Sequence, residues 1–379
     1  NTGKAVTPQG ILPGASVLVA GENIAAVSTQ QNASSSAQVI SLEKYTLLPG
    51  LIELHIHGVC GHDTMDASRE ALNGMSQYLA RQGVTSFLAA TVTAGMDNIL
   101  AAAENVANCR EQGLQGARLL GAYIEGPYLN PKNSGAHSKD CLRELDSQEI
   151  EAILDKARGN VKVFALAPEL EDAIPVIQRL TSQGLKVALG HSSATYSETN
   201  RAIENGASIA VHTFNGMSGL HHREPGIIGA VLNSGKIMAE LIADGVHVAY
   251  PVIEILLKCK DKKDIILITD CMRAGGLGDG EYELGELKVR VKGGIARTKD
   301  GSLAGSTLRL IDGVKNLVQK VNVPLADAVN MASLNPARAL GMDNNMCSIE
   351  EGKQADLIAI DNDFNVVFTM IAGKIIFQG

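Results

Sequence analysis

Leu51-Ile52-Glu53-Leu54-His55-Ile56-His57 is a mostly apolar run that ends in two imidazoles. Pro49-Gly50 precedes it and Gly58 follows it, so it reads as a buried β-strand with defined ends. Side chains two apart on a strand point to the same side, which places His55 and His57 on one face. Working outward, comparable runs recur at 84–90, 118–125, 161–167, 185–191, 207–213, 237–243 and 264–270, which with 51–57 make eight candidate strands. Helical stretches separate them, the alternation expected of βα units. Gln82-Gly83, Gln112-Gly113, Gln183-Gly184 and Asn205-Gly206 each close a helical stretch just before a strand. Glycine there tolerates the left-handed backbone that ends a helix. Eight such units suggest a closed (β/α)8 barrel, with a doubly wound open sheet as the alternative. No Gly-x-Gly-x-x-Gly follows a strand in the right place, so a dinucleotide fold has weak support.

The two chain ends read differently. Residues 15–28 hold two strand-like runs around Gly21-Glu22-Asn23, a hairpin signal. Residues 355–360 and 366–377 are again strand-like, with turns at Asp361-Asn362-Asp363 and Gly373. Neither end alone can bury a core. The expectation is a small β-sandwich domain built from residues 1–48 and 343–379, bracketing a barrel at 49–342. A barrel of roughly 250 residues plus such a unit accounts for the length. Residues 275–306, rich in glycine and charge, look like a hairpin insertion before two last helices at 307–321 and 325–340.

Composition removes several functional classes. Hydrophobic residues are 45% and charged residues 20%, ordinary for a globular enzyme. The formal net charge of -8 argues against nucleic acid as a partner, though not against a small phosphorylated substrate met by a local basic pocket. Aromatics are 3% and Trp is absent, which disfavours a stacking platform. No apolar run reaches the ~20 residues that span a membrane, so no membrane association is expected. The cysteines at 60, 109, 141, 259, 271 and 347 show neither zinc-site spacing nor a disulfide framework. With no basic-then-apolar leader, a reducing cytoplasm is expected.

The polar residues fall at the carboxyl ends of the candidate strands, where barrel enzymes place their chemistry. Strand one ends in His55 and His57, strand three in Glu125, strand five in His191, strand six in His212 and strand eight in Asp270. A lone strand-end histidine is more often a hydrogen-bonded structural group, and a lone aspartate before a loop is more often a helix cap. Six such residues on one rim argue instead for a shared role. The five histidine and glutamate side chains are good metal ligands, and Asp270 is either a sixth or a base. Such donors suit Zn or Fe(II), with Co or Mn as further choices, better than Ca or Mg. Five ligands exceed the three of a catalytic mononuclear zinc, and two ions bridged by Glu125 would use them all.

With these residues in place the chain resembles the amidohydrolase superfamily, and within it the N-acetylglucosamine-6-phosphate deacetylases. Pro49-Gly50-Leu51-Ile52-Glu53-Leu54-His55-Ile56-His57-Gly58 is similar to the superfamily's opening signature. Glu125-Gly126-Pro127, Gly190-His191-Ser192, His212-Thr213-Phe214-Asn215-Gly216-Met217 and His222-Arg223-Glu224-Pro225-Gly226 resemble the deacetylase branch. So do Asp244-Gly245-Val246-His247, Thr269-Asp270 and Leu303-Ala304-Gly305-Ser306. The likeness covers nearly the whole chain. His-x-His alone is a weak signal; the ordered set is a strong one.

The resemblance implies a main metal on Glu125, His191 and His212, and a second on His55 and His57 that only some members bind. It implies substrate contacts from His137, Asn215, Gly216, Arg223, His247 and Leu303, with Arg223 suited to forked phosphate recognition. His137 could equally be a solvated loop residue, and Arg223 could pair with Glu224 or Glu240. Cys60 and Cys271 read as small buried thiols. The implied reaction is hydrolysis of the N-acetyl amide of a 6-phosphorylated amino sugar, with Asp270 passing a proton from water to the leaving nitrogen and His137 steadying the oxyanion. Members are usually homodimers in which a neighbour can reach into the site. The galactosamine epimer, another amide hydrolase of the superfamily and a non-catalytic scaffold on the same barrel are the rival readings.

Overall fold

The computed structural model describes residues 1–29 and 38–379. Its centre is a parallel sheet of eight strands: Leu51–Ile56, Val84–Ala90, Arg118–Ile124, Val161–Leu166, Lys186–Leu189, Ala207–Ala210, Met238–Ile242 and Ile265–Ile268. Each pairs with its neighbours in chain order. The curl closes where the last strand returns to the first. There Asp270 N donates to His55 O at 3.0 Å and His57 N to Cys271 O at 2.9 Å. The architecture is therefore the (β/α)8 barrel, not the open sheet.

The strands are apolar on both sides because both sides are buried. Ile52, Leu54, Leu88, Val163, Ile209 and Ile266 pack in the barrel interior, while Leu51, Ile56, Phe87, Phe164 and Leu189 pack against the helices. The helix Arg69–Arg81 shows how the outer layer is made. Ser68 caps its start by accepting from Ala71 N, and Leu72, Met75 and Leu79 line one face and are buried. Gln82 ends it, and Gly83 turns with φ 81° into the next strand. Gly113, Gly184 and Gly206 take the same left-handed turn, with φ 73°, 84° and 116°. A side chain at these positions would be strained in that backbone.

Both chain ends enter one six-stranded sheet, in the order Gly10–Pro13, Thr2–Thr7, Leu42–Pro49, Leu357–Ile360, Val366–Ile371, Lys374–Gln378. Ser16–Ala20 and Asn23–Ser28 form the expected hairpin beside it. Pro49 pairs with Leu357, so the ladder of this sheet runs one residue past the boundary expected at 48. The segment 275–306 contains a three-stranded antiparallel sheet, Gly280–Leu284, Leu287–Lys292 and Ile295–Thr298. The helix expected at 325–340 is two helices, Leu325–Ala332 and Leu334–Ala339. Pro336 explains the break at Ser333: it has no N–H for the carbonyl of Ala332, and its ring would crowd that carbonyl in a continuous helix.

Candidate active site

Five of the six rim residues lie just beyond the strands rather than on them. The ladders stop at Ile56, Ile124, Leu189, Ala210 and Ile268, and His57, Glu125, His191, His212 and Asp270 follow within two residues; only His55 is inside a strand. The backbone leaves the ladder there because His191, His212 and Asp270 adopt left-handed φ values of 46°, 26° and 51°. Such conformations are uncommon outside glycine and cluster at functional sites. Simple alternation also fails in the first strand. Its pairing to the second shifts between Glu53 and Ile56. Glu53 consequently adjoins helix residues Tyr78 and Gln82, while His55 stacks on Tyr123 of the interior with ring centroids 4.3 Å apart.

The rim residues converge on Glu125. Its Oε1 lies 3.2 Å from His191 Nε2 and 3.0 Å from His212 Nε2. Its Oε2 lies 3.3 Å from His55 Nε2 and 3.1 Å from His57 Nε2. One carboxylate thus offers a separate oxygen to each of two histidine pairs. Asp270 Oδ1 stands 3.1 Å from His57 Nε2. All six side chains are buried, and all but His55 line a cavity of about 310 Å³.

The outer nitrogens of three of these histidines are tied down. His191 Nδ1 lies 2.8 Å from Asn133 O and His212 Nδ1 3.2 Å from Asn215 O. A carbonyl only accepts, so both Nδ1 atoms carry the hydrogen and both Nε2 atoms are bare in the neutral rings. Those bare nitrogens sit 3.0 Å apart beside a carboxylate. Converging lone pairs are unfavourable without a cation, so the donor set fits a metal ion. His55 Nδ1 meets Glu240 Oε2 at 3.2 Å, a carboxylate–histidine arrangement that orients a ligand.

The charge balance agrees. Burial would hold His55, His57 and His212 neutral, but the carboxylates outweigh it. Glu125 and Glu240 push His55 well up, Asp270 and Glu125 push His57 up to about 9, and Glu125 raises His212. Burial likewise opposes ionisation of Glu125 and Asp270, yet the surrounding imidazoles hold both carboxyls below their usual range. A field that would keep protons on these rings favours a metal cation in their place.

His137 is buried rather than solvated, which corrects one of its two sequence readings. Thr93 N donates to its Nδ1 at 3.2 Å, so Nε2 carries the hydrogen and lies 3.6 Å from Glu125 Oε2. Burial, helped by neighbouring imidazoles, pushes its pKa well down, leaving a neutral donor at the cavity floor. Asn215, Gly216, His247 and Leu303 line the same cavity. Gly216 is required there, because a Cβ would stand 2.8 Å from His191 Nδ1. His247 Nδ1 lies 2.6 Å from Asp244 Oδ2, and its Nε2 is buried with no hydrogen-bond partner among the described residues.

Arg223 is the exception. It is exposed, its guanidinium meets His222 Nε2 at 2.7 Å, and it does not line the cavity of its own chain. Neither expected partner holds it: Glu224 accepts from the amides of Tyr196 and Gly226, and Glu240 is fully buried with its Oε2 facing His55 and His212 N. Its loop, 219–224, is wholly exposed and includes Leu220. Of the two cysteines, Cys271 is buried, whereas Cys60 is only half-buried.

Sequence reasoning assigned no site role to Glu53, Thr93 or Asn133, and considered Glu240 only as a partner for Arg223. Glu240 was visible as a charge in the middle of the buried strand Met238–Ile242. Asn133 acts through a main-chain carbonyl, which no side-chain pattern reveals.

A family model described as the amidohydrolase family matches residues 46–376. The chain belongs to this family. It is 44% identical over 342 residues to N-acetylglucosamine-6-phosphate deacetylase of Vibrio furnissii, covering 90% of this chain and 86% of that protein. It is also 44% identical over 329 residues to N-acetylgalactosamine-6-phosphate deacetylase of Escherichia coli O157:H7, covering 87% of each. Among solved structures, a mutant N-acetyl-D-glucosamine-6-phosphate deacetylase from Mycobacterium smegmatis in complex with N-acetyl-D-glucosamine-6-phosphate superposes with TM-score 0.93. That pair is 32% identical, with 100% of this chain and 98% of the other covered. As an amidohydrolase, the chain is a metal-dependent hydrolase, and the histidine–glutamate clusters described above are groups that could hold a metal ion.

Proposed function

We propose that this amidohydrolase removes the acetyl group from N-acetylglucosamine 6-phosphate, giving acetate and glucosamine 6-phosphate. The observation that carries the reading is Glu125 facing two histidine pairs, with Asp270 beside one of them, at the floor of one cavity. Glu125, His191 and His212 would hold the main ion and His55 with His57 a second, Zn or Fe(II) suiting these donors best. When bound, a divalent ion lowers the pKa of water towards about 7 and polarises a carbonyl.

The protein's own groups do the rest. Asp270 takes the proton of the attacking water and delivers it to the leaving nitrogen, which departs as an amine. His137 donates its Nε2 hydrogen to the carbonyl oxygen as that oxygen gains charge. Asn215, Gly216, His247 and Leu303 orient the sugar, and the free Nε2 of His247 offers a polar contact for it. Arg223 contributes its forked contact to phosphate across a homodimer, since it stands outside its own cavity; exposed Leu220 beside it supports an interface there. Free cysteines throughout, and no described helix long and apolar enough to cross a membrane, are consistent with a cytoplasmic enzyme.

The experiment is acetate release from the two N-acetylhexosamine 6-phosphates and their unphosphorylated sugars. The glucosamine 6-phosphate series should give the largest kcat/KM. The 44% identity to a relative named N-acetylgalactosamine-6-phosphate deacetylase keeps that epimer as the second reading, and a preference for it would transfer the assignment.

A further inference from the structure

The barrel seam is built differently from its other seven strand contacts. Ladders, some with register shifts, join every neighbouring pair from Leu51–Ile56 round to Ile265–Ile268, but first and last strand share no ladder, only the isolated bridge of Ile56 with Cys271 just past the last strand. One step below that bridge a side chain stands in for the main chain. Glu53 Oε1 accepts from His55 N and from Thr269 N, both at 3.2 Å. Glu53 is wholly buried, and its other oxygen has no partner among the described residues.

Both amides belong to site elements. His55 carries the ring facing Glu125, and Thr269 precedes Asp270. On its far side the same segment is fixed by Ser306, whose Oγ donates to Thr269 O at 2.5 Å and whose N donates to Asp270 O at 2.8 Å. Glu53 is therefore a side-chain link on the near side, added to the main-chain bonds of Asp270 N to His55 O and His57 N to Cys271 O, between the strand of the two histidines and the turn of Asp270. Burying a carboxyl this deeply is unfavourable unless something is gained.

We propose that Glu53 is a positioning residue: by holding the amides of His55 and Thr269 with one oxygen, it sets the spacing between the His55–His57 pair and Asp270. This rests on the reading of Asp270 as the proton carrier given above. Glu53 reaches neither substrate nor metal; it acts through the backbone.

The test compares Glu53→Met, which keeps the length but accepts no hydrogen bond, with Glu53→Gln, which keeps the acceptor. Three quantities are read: kcat and KM for deacetylation, metal per subunit, and hydrogen exchange of the amides around 55 and 269 in metal-free protein. Misplacing a catalytic group by an ångström costs on the order of 10²-fold, so a folded Glu53→Met should lose about 10- to 100-fold in kcat with little change in KM. Its amides at 55 and 269 should exchange faster, and Glu53→Gln should restore both readings. A folded Glu53→Met with wild-type kcat and exchange overturns the proposal. So does a folded Glu53→Gln as impaired as a methionine would make it, which decides the matter even if Glu53→Met does not fold. A wild type that releases no acetate would count against the proposed function instead, while the exchange arm would still report on the seam.

Discussion

His191 Nε2 and His212 Nε2 stand 3.0 Å apart, and each ring spends its Nδ1 hydrogen on a main-chain carbonyl. The pair therefore presents two bare nitrogens to the same point, with Glu125 Oε1 completing the triangle. Removing one corner leaves two ligands, below the three that a catalytic site keeps. His191→Ala or His212→Ala should lose tightly bound metal and activity together, read by elemental analysis and acetate release. Changing His55 and His57 to Gln should cost at most the second ion. A His191→Ala, His212→Ala double mutant with full metal content would overturn the ligand assignment.

Asp270 is held below the usual carboxylate range, against its burial, chiefly by the hydrogen bond from His57. It is ionised at neutral pH and able to accept a proton. Asp270→Asn keeps the shape and removes that ability. General acid–base catalysis is worth about 10²- to 10⁴-fold, and kcat should fall by that much while metal content and KM persist. If the variant lost its metal yet ran at the normal rate once reloaded, Asp270 would be a ligand and not the base.

Much of this was legible in residue order, because the barrel writes itself as repeated strand, helix and glycine turn, and His55, His57, Glu125, His191, His212 and Asp270 sit where strands stop. What was not legible depends on three-dimensional contact. Alternation correctly paired His55 with His57, but not because the first strand is regular; its ladder shifts between Glu53 and Ile56. His137 is buried and takes a hydrogen bond from Thr93 N, 44 residues away, and nothing near His137 in the chain announces that contact. Arg223 was read beside His212 because it is close in sequence, yet the exposed loop carries it away from the cavity.

Asp63 gives a pH prediction away from the metal donors. It caps the turn Thr64–Asp66 by accepting from Met65 N, and burial raises its carboxyl to about 6 in spite of Arg273 at 3.7 Å. A carboxyl with a folded pKa above its unfolded value stabilises the fold fully below the unfolded pKa. That contribution is lost as pH rises through the folded value. The window runs from the ordinary aspartate value of 3.8 to about 6, and the loss is on the order of 3 kcal/mol at one pKa unit per ~1.4 kcal/mol. Asp63→Asn keeps the cap but cannot ionise. Its Tm relative to wild type should therefore rise between pH 4 and pH 7. A constant Tm difference across that range would mean that Asp63 is charged at all of these pH values.

Arg223 tests the substrate and the assembly together. It lies outside the cavity of its own chain, on a loop where Leu220, His221 and His222 are also exposed. If a neighbouring subunit offers it to the phosphate, Arg223→Ala should damage turnover of the 6-phosphorylated sugar and leave the unphosphorylated sugar almost unchanged. A hydrogen bond to a charged group is worth roughly 1.5–3 kcal/mol, or about 10- to 150-fold in kcat/KM. Arg223→Lys should recover only part of this, because an ammonium cannot make the forked contact. The measurement is the ratio of kcat/KM for the two sugars, taken over a dilution series with the oligomeric state followed in parallel. Dilution of the wild type to monomer should reproduce the loss seen in Arg223→Ala, since both remove the same guanidinium from the same cavity. A ratio that ignores both mutation and dilution would make Arg223 a surface residue.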